Sequence, residues 1–190
     1  MNDLAYAKAS ADETYEIING QVYMMSRPST RHMKIEGNIL YALKTYLRGK
    51  TCQPFNETNV FFAEDNIFVP DVMIVCDPEI IEDDGVHGTP DLIVEILSPS
   101  TARNDKIRKK IIYEKYGVKE YWIIDQFSKS VEVYLLKDGK LELDDVYSTY
   151  QDFEWKALTE EEKAAVKKAI KVSIYDDFYV TLEDIFENVN

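Results

Sequence analysis

The sequence predicts a mixed α/β fold: a central β-sheet flanked by helices, with an N-terminal hairpin and C-terminal peripheral helices. Three observations predict it. Asn19-Gly20, the strongest short turn signal, sits between two runs of β-formers. Apolar residues recur at helical spacing over 28–48 and again over 102–116. Between and after these stretches lie short runs rich in β-branched and aliphatic residues, VMIVC at 72–76, DLIVEIL at 91–97 and EYWIID at 120–125. With 190 residues, inside the roughly 100–200 of a typical domain, the chain reads as a single domain over 1–190.

Each element has its own warrant. The hairpin spans 14–25. Pro28 and Ser29 start a helix that runs to about Arg48, with Ile35, Ile39, Leu40, Leu43, Tyr46 and Leu47 as its apolar stripe and Gly49 as its stop. Strands follow over 53–63, 67–76 and 91–97, the last stopped by Ser98-Pro99, and an acidic loop over 78–88 joins the latter two. A helix over 102–116, capped by Ser100 or Thr101, ends at Gly117. Strands over 120–125 and 131–136 come next, then a charged helical segment near 159–171 and a last amphipathic helix over 182–189.

Composition narrows the function. A net charge of −13 excludes a generic basic nucleic-acid coat, though not local basic patches. No apolar run approaches the roughly 20 residues of a membrane span, and the acidic start, with Asp3, Asp12 and Glu13, lacks the pattern of a secretory signal. Cys52 and Cys76 are too few for a disulfide framework or a zinc site and are expected as reduced core thiols of a cytoplasmic protein. Charge is unevenly placed: 51–102 holds eleven carboxylates and no Lys or Arg, while both flanks are basic. Solvated faces explain most such runs, yet a metal site beside a phosphate-binding surface has the same pattern.

Asp91, Ile93 and Glu95 alternate onto one face of their strand. A carboxylate in an otherwise apolar strand needs a partner or a metal. If the strands at 72–76 and 91–97 are neighbours, Asp71 reaches the Glu95 carboxylate. At 4 Å the two repel by about 4 kcal/mol at an effective dielectric near 20, which a divalent cation would remove. Oxygen ligands favour Mg²⁺ or Mn²⁺ over Zn²⁺. On the following helix, Lys109 shares a face with Ile112, Tyr113 and Tyr116 and is the basic residue expected to point at the sheet; an i, i+4 pair with Asp105 is its plainer explanation. Two carboxylates, an inward lysine and a basic rim suit metal-assisted attack of water on a phosphodiester. Trp122 and the tyrosines around it are expected to pack the sheet.

PDVMIVCDP at 70–78, GTPDLIVEILSPSTARNDKIRKK at 88–110 and YEKYGVKEYWIID at 113–125 resemble the Uma-two family of restriction endonucleases, within the PD-(D/E)XK nuclease superfamily. YEIINGQVYMMSRPSTRH at 15–32 and DFYVTLEDIF at 177–186 extend the resemblance over nearly the whole chain. It implies a restriction-endonuclease-like core, in which a helix precedes a three-stranded meander and a second helix leads to a further strand. It also implies Asp71 and Glu95 as the two motif acids. The chain departs from the superfamily pattern at Leu97, where a lysine is expected, and Lys109 is the implied substitute. Asp91 is the implied additional metal ligand, and the role of His32 is open.

The resulting expectation is a Mg²⁺-dependent endonuclease, with Mn²⁺ as the other candidate cation. Its site is Asp71, Glu95 and Lys109 with Asp91 auxiliary, and Arg31, Lys34, Arg103, Lys106 and Lys110 form its basic rim. Its partner is nucleic acid, DNA ahead of RNA, with no membrane and with a homodimer allowed. Loss of Lys109 is expected to abolish cleavage while leaving the fold largely intact. The competing reading is a catalytically inactive nuclease-fold protein that binds nucleic acid or another protein. Leu97 and the acidic charge favour it.

Overall fold

Asn19 and Gly20 both take positive φ, 50° and 74°, as a two-residue hairpin turn requires, and fold Tyr15–Ile18 (β1) back on Gln21–Met24 (β2). The computed structural model describes residues 14–99 and 102–189. Helix α1 (Thr30–Leu47) starts at Ser29, whose hydroxyl oxygen accepts from the His32 amide at 3.2 Å. There follow β3 (Gln53–Asn56), β4 (Val60–Ala63), β5 (Asn66–Phe68), β6 (Val72–Val75), β7 (Ile81–Glu82), β8 (Gly85–Val86) and β9 (Leu92–Leu97). Asn104–Lys109 is wound as a π-helix and runs into α2 (Lys110–Tyr116), which Gly117 ends in the left-handed conformation (φ 83°). The remaining elements are β10 (Glu120–Asp125), β11 (Ser130–Lys137), β12 (Lys140–Ser148), α3 (Asp152–Ala157), α4 (Glu160–Ala165), β13 (Ala169–Lys171), β14 (Tyr179–Thr181) and α5 (Leu182–Ile185).

The central sheet has the order β12-β11-β10-β9-β6-β3. Its neighbours are antiparallel except β9 and β10, which are parallel and joined through α2. One face packs Leu92, Val94, Ile96, Trp122 and Ile124 against Ile35, Ile39, Leu43 and Leu47 of α1 and the C-terminal β13–β14 and α5. Each of those α1 side chains contributes about 1.5–3 kcal/mol of burial, which is why the helical stripe in the sequence holds. The opposite face packs Met73, Ile93, Leu97, Tyr121 and Ile123 under Ile112 and Tyr113 of α2 and a second sheet, β2-β1-β5-β4-β8-β7. This is the expected restriction-endonuclease-like core: α1, the antiparallel β3, β6 and β9, then α2 and β10. Trp122 is fully buried in the sheet, as expected. No helix among the described residues is long and apolar enough to cross a membrane.

Several expectations are corrected. The strand read over 53–63 is two, separated by a turn in which Glu57 takes φ 42°. That over 67–76 is also two, because Pro70 has no N–H to continue a ladder. The acidic loop contains β7 and β8. Edge strand β12 was missed because its charged, half-exposed residues carry little apolar alternation. In the tail, the helix read over 159–171 is short α4 followed by β13, and the last helix stops at Ile185. The caps Ser100 and Thr101 lie outside the described residues. Cys52 and Cys76 are not reduced thiols but a disulfide, because the Gln53↔Val75 register, continued by one residue, sets them opposite each other. The pair therefore no longer argues for a reducing compartment.

Glu120 opens β10 fully buried and ties the central sheet to the C-terminal hairpin. Its Oε1 accepts from Trp122 Nε1 at 2.6 Å, and its Oε2 accepts from Ser173 N at 2.7 Å and Ser173 Oγ at 2.6 Å. Burial raises its pKa, and the Ser173 and Trp122 donors only partly oppose this. A carboxyl raised on folding contributes stability that is complete below its unfolded value and is lost as pH rises through the folded one. The stability advantage of the natural protein over Glu120→Gln should therefore shrink as pH rises through and above the ordinary carboxylate range. Urea midpoints of the two across pH check this; a constant gap would show that Glu120 does not titrate there.

Candidate active site

The β6–β9 register sets the site. Val72 pairs with Val94 and Met73 with Ile93, so one residue further Asp71 stands opposite Glu95. Directly opposed residues share a sheet face with Cβ atoms about 4.5–5.5 Å apart. Asp71 is fixed at both oxygens: Oδ2 accepts from the Ile96 amide at 2.6 Å, and Oδ1 lies 3.0 Å from His32 Nε2. Glu95 is 3% exposed. Its Oε1 accepts from Lys109 Nζ at 3.0 Å and from the Tyr113 hydroxyl at 2.7 Å. Both of these bonds fall on one oxygen, so Oε2 keeps ligating capacity.

Lys109 faces the sheet as its stripe position predicts, but in more company than expected. Its ammonium lies 2.7 Å from Glu16 Oε1, 3.0 Å from Glu95 Oε1 and 3.3 Å from Asp105 Oδ1, all buried. The i, i+4 pair with Asp105 and the inward position thus occur together. Glu16 also accepts from the Val69 amide at 3.1 Å, which pins β1 to the site. Three carboxylates around one ammonium leave excess negative charge. Burial, with Asp105, Asp71 and Glu16 nearby, raises the Glu95 pKa well above normal against the pull of Lys109. Burial depresses the Lys109 pKa, but Glu16, Glu95 and Asp105 outweigh it and hold the ammonium charged. For His32, burial is likewise outweighed, by the hydrogen bond and charge of Asp71 with Glu36 and Glu57 behind it, and the pKa is raised.

These groups line one cavity of 510 Å³, whose wall includes Glu16, His32, Glu57, Asp71, Glu95, Asp105 and Lys109. Gln126 closes its side: its Nε2 donates to the Leu97 carbonyl at 2.7 Å, and its Oε1 accepts from Ser29 Oγ at 3.2 Å, joining the end of β9 to the start of α1. Carboxylate oxygens fit Mg²⁺ or Mn²⁺, and the excess negative charge gives a cation something to neutralise.

Asp91 is not brought to the cavity. It lies about 13 Å along the strand from Glu95, at 3.3 Å per residue. There its oxygens accept from the Cys76 amide at 2.8 Å and from Lys119 Nζ at 2.7 Å. The expected basic rim is only partly assembled. Arg31 stacks over Phe127, a lining residue, at 5.2 Å. Lys34 donates to the Asn188 carbonyl at 2.7 Å and Lys106 to Glu132 at 2.7 Å. Lys110 sits 4.8 Å over the Tyr134 ring, and Arg103 is exposed. Arg27 lines the cavity instead. No residue of the acidic segment 78–88 lines it, although Glu57 is shared with a neighbouring cavity that Glu82, Asp83 and Asp84 do line. Exposed Glu82, Asp84 and His87 bring ligand atoms within 4.8 Å of one another, outside the site. Glu16, Glu57 and Gln126 were not found from sequence. Only Glu16 left a trace there, as the one charge within the apolar YEII.

Fold and site together define a protein of the restriction-endonuclease-like class. The chain belongs to the Uma2 family, described as "Putative restriction endonuclease", which matches residues 2–162. A solved structure from Anabaena variabilis, titled a "putative nuclease belonging to DUF820", superposes with a TM-score of 0.73 at 19% identity, covering 97% of this chain and 96% of that one. An uncharacterized protein of Synechocystis sp. is 28% identical over 129 residues, 66% of this chain and 68% of that one.

Proposed function

We propose that this chain is a divalent-metal-dependent endonuclease that hydrolyses phosphodiester bonds in DNA and acts as one restriction-endonuclease-like domain. The observation that carries the reading is the pairing of Asp71 with Glu95 across β6 and β9, beside a buried ammonium, in a single cavity. The family description and the fold of the Anabaena protein support the same class of reaction. Asp71 and Glu95 would hold Mg²⁺ or Mn²⁺, and His32 fixes Asp71 through Oδ1. A cation bound there would polarise the phosphoryl oxygen and lower the pKa of its water.

The remaining work falls to the chain. Lys109 holds Glu95 Oε1, so the second oxygen is presented in one orientation, and it supplies positive charge where charge develops on the phosphoryl group. The start of the 18-residue α1, with Pro28, Ser29 and His32 on the cavity wall, adds the positive end of a helix dipole. Arg27 offers a phosphate contact. Burial of the carboxylates and the lysine strengthens each of these interactions by lowering the local dielectric.

The test is cleavage of DNA with Mg²⁺, with Mn²⁺ and with chelator, for the natural protein and Asp71→Asn. Cleavage should need the cation. Asp71→Asn should lose at least the roughly 10–100-fold that removal of an outer partner of a metal site costs, and Mn²⁺ binding by calorimetry should weaken with it. No cleavage with either cation, alongside retained nucleic-acid binding, would instead establish the non-catalytic module that Leu97 suggests.

A further inference from the structure

Two aromatic–arginine pairs border the cavity. The Tyr23 and Phe127 rings both line it, and the Arg108 and Arg31 guanidinium carbons lie 5.3 Å and 5.2 Å from their respective centroids. We propose that the site takes an unpaired nucleic-acid strand, its bases stacked on these two pairs. This rests on the phosphodiesterase reading above and names its substrate class.

Depth is the first reason. Glu95 and Lys109 are each 3% exposed, so a scissile phosphate must enter the cavity to meet them. In a duplex each phosphate is tied to paired, stacked bases, whereas the splayed backbone of an unpaired strand can bend to bring a phosphate into the cavity. The second reason is Phe127 itself. It is 64% exposed, next to the buried Gln126, and gains little from packing. Its backbone is nevertheless fixed, because Asp125 Oδ1 accepts from the Phe127 and Ser128 amides at 2.8 Å and 3.2 Å. The Tyr23 hydroxyl accepts from Arg108, which also donates to Asn104 at 3.2 Å. Rings and guanidinium planes held this way are stacking surfaces for bases. The third reason is charge. Non-specific duplex binding depends on many free Lys and Arg contacts to phosphate. Here the net charge is −13, and Lys34 and Lys106 are engaged elsewhere. Stacking supplies what phosphate contacts do not.

The experiment is fluorescence anisotropy of a labelled single-stranded oligonucleotide and its duplex, with Ca²⁺ in place of Mg²⁺, across salt concentrations. The natural protein should bind the single strand more tightly. Phe127→Ala and Tyr23→Ala should each weaken that binding by roughly 5- to 150-fold, the loss of one stacked base. Phe127→Trp keeps the ring and should retain it. Phe127 is a surface side chain, and an unchanged thermal melt for Phe127→Ala separates lost stacking from lost folding. Equal or tighter duplex binding, with Phe127→Ala unchanged, overturns the proposal and leaves the nuclease reading standing. Failure of both nucleic acids to bind at low salt with Ca²⁺ overturns both.

Discussion

Replacing Lys109 with methionine should cost roughly 3–5 kcal/mol of folding stability and abolish cleavage, because breaking a buried ion pair strands the charge left behind. Here three carboxylates are stranded at once. Glu16, Glu95 and Asp105 lie within 3.3 Å of the ammonium and are 1–5% exposed. The sequence alone led to the expectation that the fold would survive loss of Lys109 largely intact; the buried cluster replaces that with a large stability cost. Urea unfolding of Lys109→Met at neutral pH measures the cost, and metal-dependent cleavage under conditions where the variant is still folded measures the chemistry. Adding Glu95→Gln and Glu16→Gln to Lys109→Met should recover part of the lost stability, since residues sharing one network do not contribute additively. An unfolding midpoint that Lys109→Met leaves unmoved would mean that the three carboxyls do not depend on the lysine.

The difference between those two expectations shows what the chain discloses and what it hides. Periodicity disclosed the helix from 30 to 47, the apolar strands and the inward stripe of Lys109, Ile112 and Tyr113, because each depends on neighbours a few residues away. Asp71 and Glu95 were legible as a pair only on the condition that their strands were neighbours, which the Val72↔Val94 register fulfils. Glu16 was not legible. It reaches Lys109 from β1, 93 positions earlier in the chain, through the pairing of β1 with β5 and the Val69 amide, and no local pattern encodes that contact. Asp91 misled for the complementary reason. Strand alternation put it on the Glu95 face correctly, but it occupies the far end of the strand, against Cys76 and Lys119. The disulfide depended in the same way on a pairing between β3 and β6 that only the folded sheet reveals.

Glu95→Gln should separate stability from function. Burial raises the Glu95 pKa well above the ordinary carboxylate range; Lys109 opposes this, while Asp105, Asp71 and Glu16 add to it. A carboxyl whose folded pKa lies above its unfolded value contributes stability that is complete below the unfolded value and is lost as pH rises through the folded one. Without divalent cation, the contribution of Glu95 to the natural protein's stability should therefore fall as pH rises through its folded value. Glutamine has no proton to lose there, and its carbonyl oxygen can still accept from Lys109 and Tyr113, as Glu95 Oε1 does. Glu95→Gln should consequently gain on the natural protein as pH rises, while its cleavage falls by more than the roughly 10–100-fold tied to an outer partner of a metal site. Mn²⁺ should narrow the gap from the other side, since a ligand that binds only the folded state adds about 2.7 kcal/mol at a hundredfold excess over its Kd. Urea midpoints of both proteins across pH, with and without Mn²⁺, give the whole pattern. A gap that neither grows with pH nor narrows with Mn²⁺ would remove Glu95 as the group that a bound cation relieves.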